Sequence, residues 1–177
     1  MGMAKASSST ELIEVRVAKE IAGGATPYSA NDVVNDTTCT TTATAWLFTN
    51  MARTAGGYFK IHDASIFSES ENIEPRLTLM LFNATPTGAL ADNVANTNPL
   101  PADRTKYLKE LFFPALSKIT TSVASIAVAS GSTVGNLPLT GKCAAGSTTV
   151  YGVLKTLDIF TQTATDDIEI VLQVEWL

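Results

Sequence analysis

The chain reads as an all-β protein, a jelly-roll-like antiparallel β-sandwich of about eight strands, and three observations predict it. Apolar and polar residues alternate with the period of a strand in several separate runs, most cleanly at 11–17, 76–82 and 168–176. No stretch sustains the i, i+3, i+4 pattern of a long amphipathic helix. Gly, Pro, Asn and Asp clusters punctuate the runs at the spacing of a sandwich, and one long irregular connection at 83–105 has the length a Greek-key crossover needs.

Each element follows from its residues. Residues 1–10, Met-Gly-Met-Ala-Lys-Ala-Ser-Ser-Ser-Thr, hold little that a core could bury and are expected to form a flexible N-terminal arm; residues 11–177 form one β-sandwich domain. In 11–17, Ile13, Val15 and Val17 share one face and Glu14 and Arg16 the other, which favours a strand over the helix that 11–21 also permits; Gly23 and Gly24 end it. The Thr-rich tract 36–44 suits a loop or an edge strand. Residues 45–49 are a compact aromatic strand with Trp46 in the core. The runs 57–67 and 76–82 are expected to be consecutive strands of one antiparallel sheet. Leu77, Leu79 and Leu81 face the core, while Thr78, Met80 and Phe82 are apolar enough to predict cover on the opposite face, of a kind that suits a surface completed against a partner.

Beyond residue 105 the signals are mixed. Asp103 could cap a short helix through Leu111, or a strand could run from Lys109 to Phe113; the residues permit either, and Pro114 ends both. A strand is expected at 119–129 and strand fragments with turns at 131–146. In 150–160 both faces are mixed, as a twisted or bulged strand would be. A turn at 161–167 leads to the last strand, with Ile168, Ile170, Leu172, Val174 and Trp176 inward.

Composition bounds the function. The chain has 177 residues, about one domain by length and able to bury roughly 70% of its unfolded surface. Only 16% of residues are charged, so hydroxyls and amides carry the surface. A net charge of −5 with scattered Lys and Arg argues against nucleic acid as a partner. No run reaches the ~18 apolar residues of a membrane-spanning helix, and the first ten residues lack both a signal-peptide core and, with Ala6 where Ser or Thr is wanted, a myristoylation pattern. Cys39 and Cys143 read as two free thiols, or as one bridge if their backbones approach.

Candidate chemistry is sparse. His62 is the only histidine, so no His-based triad or His cluster forms within one chain; it reads as a half-exposed sheet residue. Asp166 with Asp167, and Asp92 with Asn93 and Asn96, have calcium-ligand chemistry but no ligand spacing, and turn formation accounts for them. Glu69, Glu71 and Glu74 read as a solvated loop and not as paired catalytic carboxylates. The glycines match no phosphate-binding fingerprint, and the tripeptides at 35–37 and 83–85 match the glycosylation acceptor by chance composition. The expectation is therefore a protein that is not an enzyme, with no catalytic, cofactor-binding or metal residues and no cofactor.

The order of segments carries more. Pro-Tyr-Ser-Ala-Asn-Asp-Val-Val at 27–34, Trp-Leu-Phe at 46–48, Ala-Arg-Thr-Ala-Gly-Gly-Tyr-Phe-Lys-Ile at 52–61, Leu-Thr-Leu-Met-Leu-Phe-Asn-Ala-Thr-Pro-Thr at 77–87 and Asp92-Asn93 follow one another. Together they resemble the auxiliary head proteins of tailed bacteriophages that decorate and cement the capsid. The resemblance spans residues 26–93; the Thr-rich tract departs from it. It implies a jelly-roll-like sandwich, commonly a homotrimer, bound to the major capsid protein on the outside of the virion after synthesis in the bacterial host cytoplasm. The alternative is a carbohydrate-binding β-sandwich of a phage tail or a free binding module, which would need an aromatic platform drawn from Trp46, Tyr28, Tyr58 and Tyr107.

Overall fold

The structure, a computed structural model, describes residues 11–24, 26–36, 44–70, 73–119 and 124–177. The expected arm 1–10, most of the Thr-rich tract and Cys39 lie outside the described residues. Ten strands and no α-helix are present among those described: β1 Leu12–Ile21, β2 Trp46–Phe48, β3 Tyr58–Ser68, β4 Leu77–Phe82, β5 Tyr107–Phe113, β6 Ser117–Lys118, β7 Ser125–Val128, β8 Leu139–Lys142, β9 Val150–Thr156 and β10 Asp166–Trp176. The excess over the expected eight lies in β6, β7 and β8, pieces of two to four residues. At 103–111 the strand prevails: the only helical turn there is a 3-10 turn at Pro101–Asp103.

Two antiparallel sheets face each other. The larger has the order β1-β10-β3-β7-β6, with β8 also on β3; the smaller has the order β2-β9-β4-β5. β7 pairs with Ser65–Ser68 and β8 with Tyr58–Ile61, so two short strands share one long edge of β3. This corrects the expected pairing of 57–67 with 76–82, because β3 and β4 lie in different sheets. The eight residues between them are enough to cross the ~10 Å between packed sheets. Asp166 and Asp167 are another correction, since they open β10 instead of closing a turn.

The core forms between the inner faces. Phe59, Ile61, Ala64 and Ile66 of β3 and Ile168, Ile170, Leu172 and Val174 of β10 meet Leu77, Leu79 and Leu81 of β4, Leu111 and Phe113 of β5, and Trp46 and Phe48 of β2. All are at most 2% exposed, and each large apolar side chain contributes about 1.5–3 kcal/mol by leaving water. Phe59 lies so close over Gly141 of β8 that a Cβ there would sit 2.3 Å from the ring, so only glycine fits.

Along β3 the inward residues are spaced Phe59, Ile61, Ala64, Ile66, a step of three in a run of twos. The extra residue is His62, bulged where the β10 register shifts between Gln173 and Val174. The bulge turns both His62 and Asp63 to solvent and keeps Phe59, Ile61, Ala64 and Ile66 on the inner face.

The outer face of the smaller sheet is also covered. Met80, Phe82 and Val153 form a second buried cluster with Val33, against which Leu90, Tyr107 and Tyr151 pack. Residues 28–36 and 88–98 run over this face as a flap. Val33 N donates to Val94 O and Asn93 N to Val33 O, each at 2.9 Å, and Tyr28, Asp32 and Val33 make isolated bridges to Phe160, Ala95 and Lys155. The cover expected from the pattern of 76–82 is therefore supplied by the chain itself and not by a partner. The mixed faces of β9 have the same cause, being buried on both sides and not twisted out of register.

Candidate interaction surfaces

Three groups of polar side chains hold the molecule's surface in shape. The first staples the flap. Tyr28 is stacked on Phe160 with ring centroids 4.5 Å apart, and its hydroxyl donates to both oxygens of Asp92 at 2.9 Å. Asp92 also accepts the backbone N–H of Asn35 at 2.8 Å. Asn35 is buried and donates to Leu90 O and Thr44 O, while Lys19 donates to its Oδ1 at 2.6 Å and lies over the Trp46 ring. Trp46 Nε1 donates to Val34 O at 3.1 Å. Burial pushes the Asp92 carboxyl above the usual carboxylate range, against the pull of the Asn35 N–H and the Tyr28 hydroxyl; burial and then Asp92 push the Tyr28 phenol up.

The second group closes the loop 83–106, which joins the paired neighbours β4 and β5 of one sheet and is therefore a long hairpin connection and not the Greek-key crossover expected at 83–105. Asp103, fully buried, accepts Thr87 N and Oγ1 and Lys106 Nζ at 2.9–3.0 Å. Burial alone would raise its carboxyl, but these donors outweigh it and hold it below the usual range. Asn98 accepts Gly88 N and donates to Ala89 O, so its amide replaces a missing strand partner.

The third group shapes an exposed apolar rim. Asn136, 1% exposed, donates to Phe112 O and accepts Phe112 N, so one side-chain amide caps the free edge of β5 and pins the loop 130–137 against it. The Phe112 side chain points outward beside a shallow groove with Leu157, Pro114 and Thr133. Val134, 101% exposed, follows Thr133 of this groove in the chain; Ile159, 75% exposed, lines a second groove with Pro75 and Asp158. Between them, Arg76 makes an ion pair with Asp158 through Nε and Nη2, and its guanidinium and N–H hold the Asp158 carboxyl down to about 2.

The outer face of the larger sheet is mixed, with Phe67, Ile126 and Val171 beside Glu14, Arg16, Asp63 and Glu169. Arg16 bridges Glu14 at 2.6 Å and Glu169 at 2.9 Å, and Glu175 contacts His62 and, at 3.9 Å, Lys60. Lys142 lies over the exposed Tyr58 ring.

The structure separates the other residues singled out from sequence. Glu69 accepts the backbone N–H of Asp167, Asp166 accepts the Gln162 amide, Glu74 is exposed, and Glu71 lies outside the described residues. Asn93 and Asn96 serve the flap: Asn93 N–H bonds Val33 O and Asn96 N–H bonds Asn31 O. Among the described residues no group of three or more His, Cys, Asp or Glu is placed to hold a metal ion. Of the four aromatic candidates, Trp46 and Tyr28 are buried, Tyr107 packs on Phe82, and only Tyr58 is exposed. Cys143 is a buried free thiol, pushed up to about 11 by burial. Sequence reasoning missed Asn98, Asp103 and Asn136 as scaffold groups and Phe112, Val134 and Ile159 as a rim. The outward parity of Phe112, beside inward Leu111 and Phe113, was the one available signal for the rim. Compared with family models, curated proteins and solved structures, the chain matches none.

Proposed function

We propose that this chain is a structural virion protein that binds the outside of a tailed-phage capsid and cements neighbouring major capsid subunits. One observation carries the reading: the scattered stretches of the resemblance meet in space. Residues 27–34 and Asp92-Asn93 make the flap, the flap packs on 77–82, and Trp46 bonds the flap at Val34. The resemblance is thus to one packed unit and not to unrelated strings.

The jelly-roll form is supported by strand order. With β7 and β8 counted as one interrupted strand along β3 and the two-residue β6 set aside as an addition at the edge of β7, the eight positions run 1-8-3-6 in one sheet and 2-7-4-5 in the other, which is the order produced by rolling up two Greek keys. With the outer face of the smaller sheet already sealed, the apolar rim of Phe112, Leu157, Ile159 and Val134 is the surface suited to the capsid. Bound across a subunit junction, each copy must be released before the shell opens, which stabilises the shell by mass action. An oligomer would place several such rims at once and gain avidity. This reading assigns no catalysis, nucleic acid or membrane, and it locates the protein on the capsid exterior after assembly in the bacterial host cytoplasm.

The test adds purified protein to capsids that lack it and follows co-sedimentation and the temperature of DNA release. Saturable binding with a raised release temperature is expected. A folded protein that stays in the supernatant would refute the proposal.

A further inference from the structure

We infer that β1 is a pairing edge for a second copy of this chain, two protomers meeting antiparallel about Val15 so that their larger sheets continue as one. This goes beyond capsid binding and does not depend on it. β1 pairs with β10 through ten consecutive residues without a bulge, and it contains no proline. On its other side, among the described residues, no backbone hydrogen bond outside the strand ladders involves residues 12–21. Natural edges are usually blunted by bulges, prolines or covering groups, as β5 is by Asn136. Among the described residues, β1 has only its side chains for this purpose.

Those side chains suit a copy of themselves. In a two-fold antiparallel pair, residues directly opposite lie on the same face. Centred on Val15, the register sets Glu14 against Arg16 and Arg16 against Glu14 on the polar face, with Leu12 against Ala18 beside them. On the inner face it sets Ile13 against Val17, while Lys19 stays bonded to Asn35 and Thr44 of its own protomer. Other centres do worse. Those at Glu14 and Arg16 oppose like charges, the one at Val17 sets Glu14 on Glu20, and the one at Ala18 sets Lys19 on Val17.

Burial agrees with the choice. Val15 is buried, but Ile13 and Val17, on the same inward face, remain only half-buried, and Leu12 is exposed. A shallow groove runs along the inner side of this edge, between Ile13 and Val15 on one flank and Asn50, Ala52 and Trp176 on the other. The partner's Ile13 and Val17 would close over it. Arg16 uses Nε and Nη1 toward Glu14 and Glu169 on its own protomer, so the partner's Glu14 joins an existing charge network at Nη2.

The experiment uses the full chain with Cys39→Ser as background. Opposed Cα atoms in an antiparallel pair are about 4.5–5.5 Å apart, within disulfide reach, whereas residue 13 and its own copy would be about 13 Å apart. An equimolar mixture of Ile13→Cys and Val17→Cys chains should therefore cross-link under mild oxidation, while neither chain alone should. Unsubstituted protein should sediment as an even-numbered assembly that dissociates on dilution. Sedimentation as a monomer or a trimer without the mixed cross-link would overturn the pairing and leave capsid binding standing. Cross-linked pairs that fail to sediment with capsids would support the pairing and refute the proposed function.

Discussion

Asp92 is the residue on which the flap turns, because a half-buried carboxylate here replaces backbone partners that the loop lacks. Its raised pKa has a definite sign. A carboxyl whose folded value lies above its unfolded value favours the fold most when protonated, and that contribution is lost as pH rises from the ordinary carboxylate range through the raised value. The Tyr28 hydroxyl opposes this by donating to the charged form. Tyr28→Phe should therefore raise the Asp92 pKa further and cost about 1 kcal/mol at neutral pH. The loss should shrink as pH falls through the Asp92 titration, since a protonated carboxyl gains less from the donor. Urea denaturation of both proteins between pH 4 and pH 8, with the Asp92 carboxyl followed by NMR, checks this; a pH-independent difference would show that Asp92 does not titrate against Tyr28.

At the scale of elements, the bulge at His62 decides the register between β3 and β10, the two eleven-residue strands. Deleting His62 should let the alternation run unbroken, with Ile61, Ala64 and Ile66 still inward, at the cost of an exposed contact to Glu175 that contributes little. Deleting Ser65 should instead turn Ile66 outward and Phe67 inward and send the chain into inclusion bodies. Soluble yield and melting temperature of the two deletions compare them directly; equal damage would mean that the bulge does more than absorb a residue. The alternation that makes this argument possible was legible in the sequence for β1, β4 and β10, as were the core role of Trp46 and the need for cover over Met80 and Phe82. What alternation cannot carry is partnership. It tells which face a residue occupies and not which strand lies beside it, so β3 and β4 looked like neighbours although they lie in different sheets. Asn98, Asp103 and Asn136 looked like ordinary loop residues for a similar reason: their work is to bond backbone far away in sequence, and no local spacing marks it.

For the whole molecule, the two lateral sides of the sandwich differ in kind. β1 and β2 lie together on one side, the first with an open edge; β5 and β8 lie together on the other, where Asn136 caps the edge and the apolar rim stands. A copy paired along β1 would leave the rim free, so copy-to-copy and copy-to-capsid contacts can exist at once, and a patch of decorated shell could be held laterally as well as from beneath. The division predicts separable effects. Phe112→Ser with Ile159→Ser should weaken capsid binding by about 30-fold or more, as expected for loss of apolar anchors worth 2 kcal/mol or more. Stability should change by no more than about 0.5 kcal/mol, because both side chains are exposed. Leu47→Ser, an exposed apolar position on the β2 side, serves as the matched control and should leave capsid binding unchanged. Co-sedimentation isotherms for the three proteins decide the matter. If Leu47→Ser weakens binding as much as the double substitution, the capsid contacts the β1 and β2 side, and that side cannot also hold a second copy.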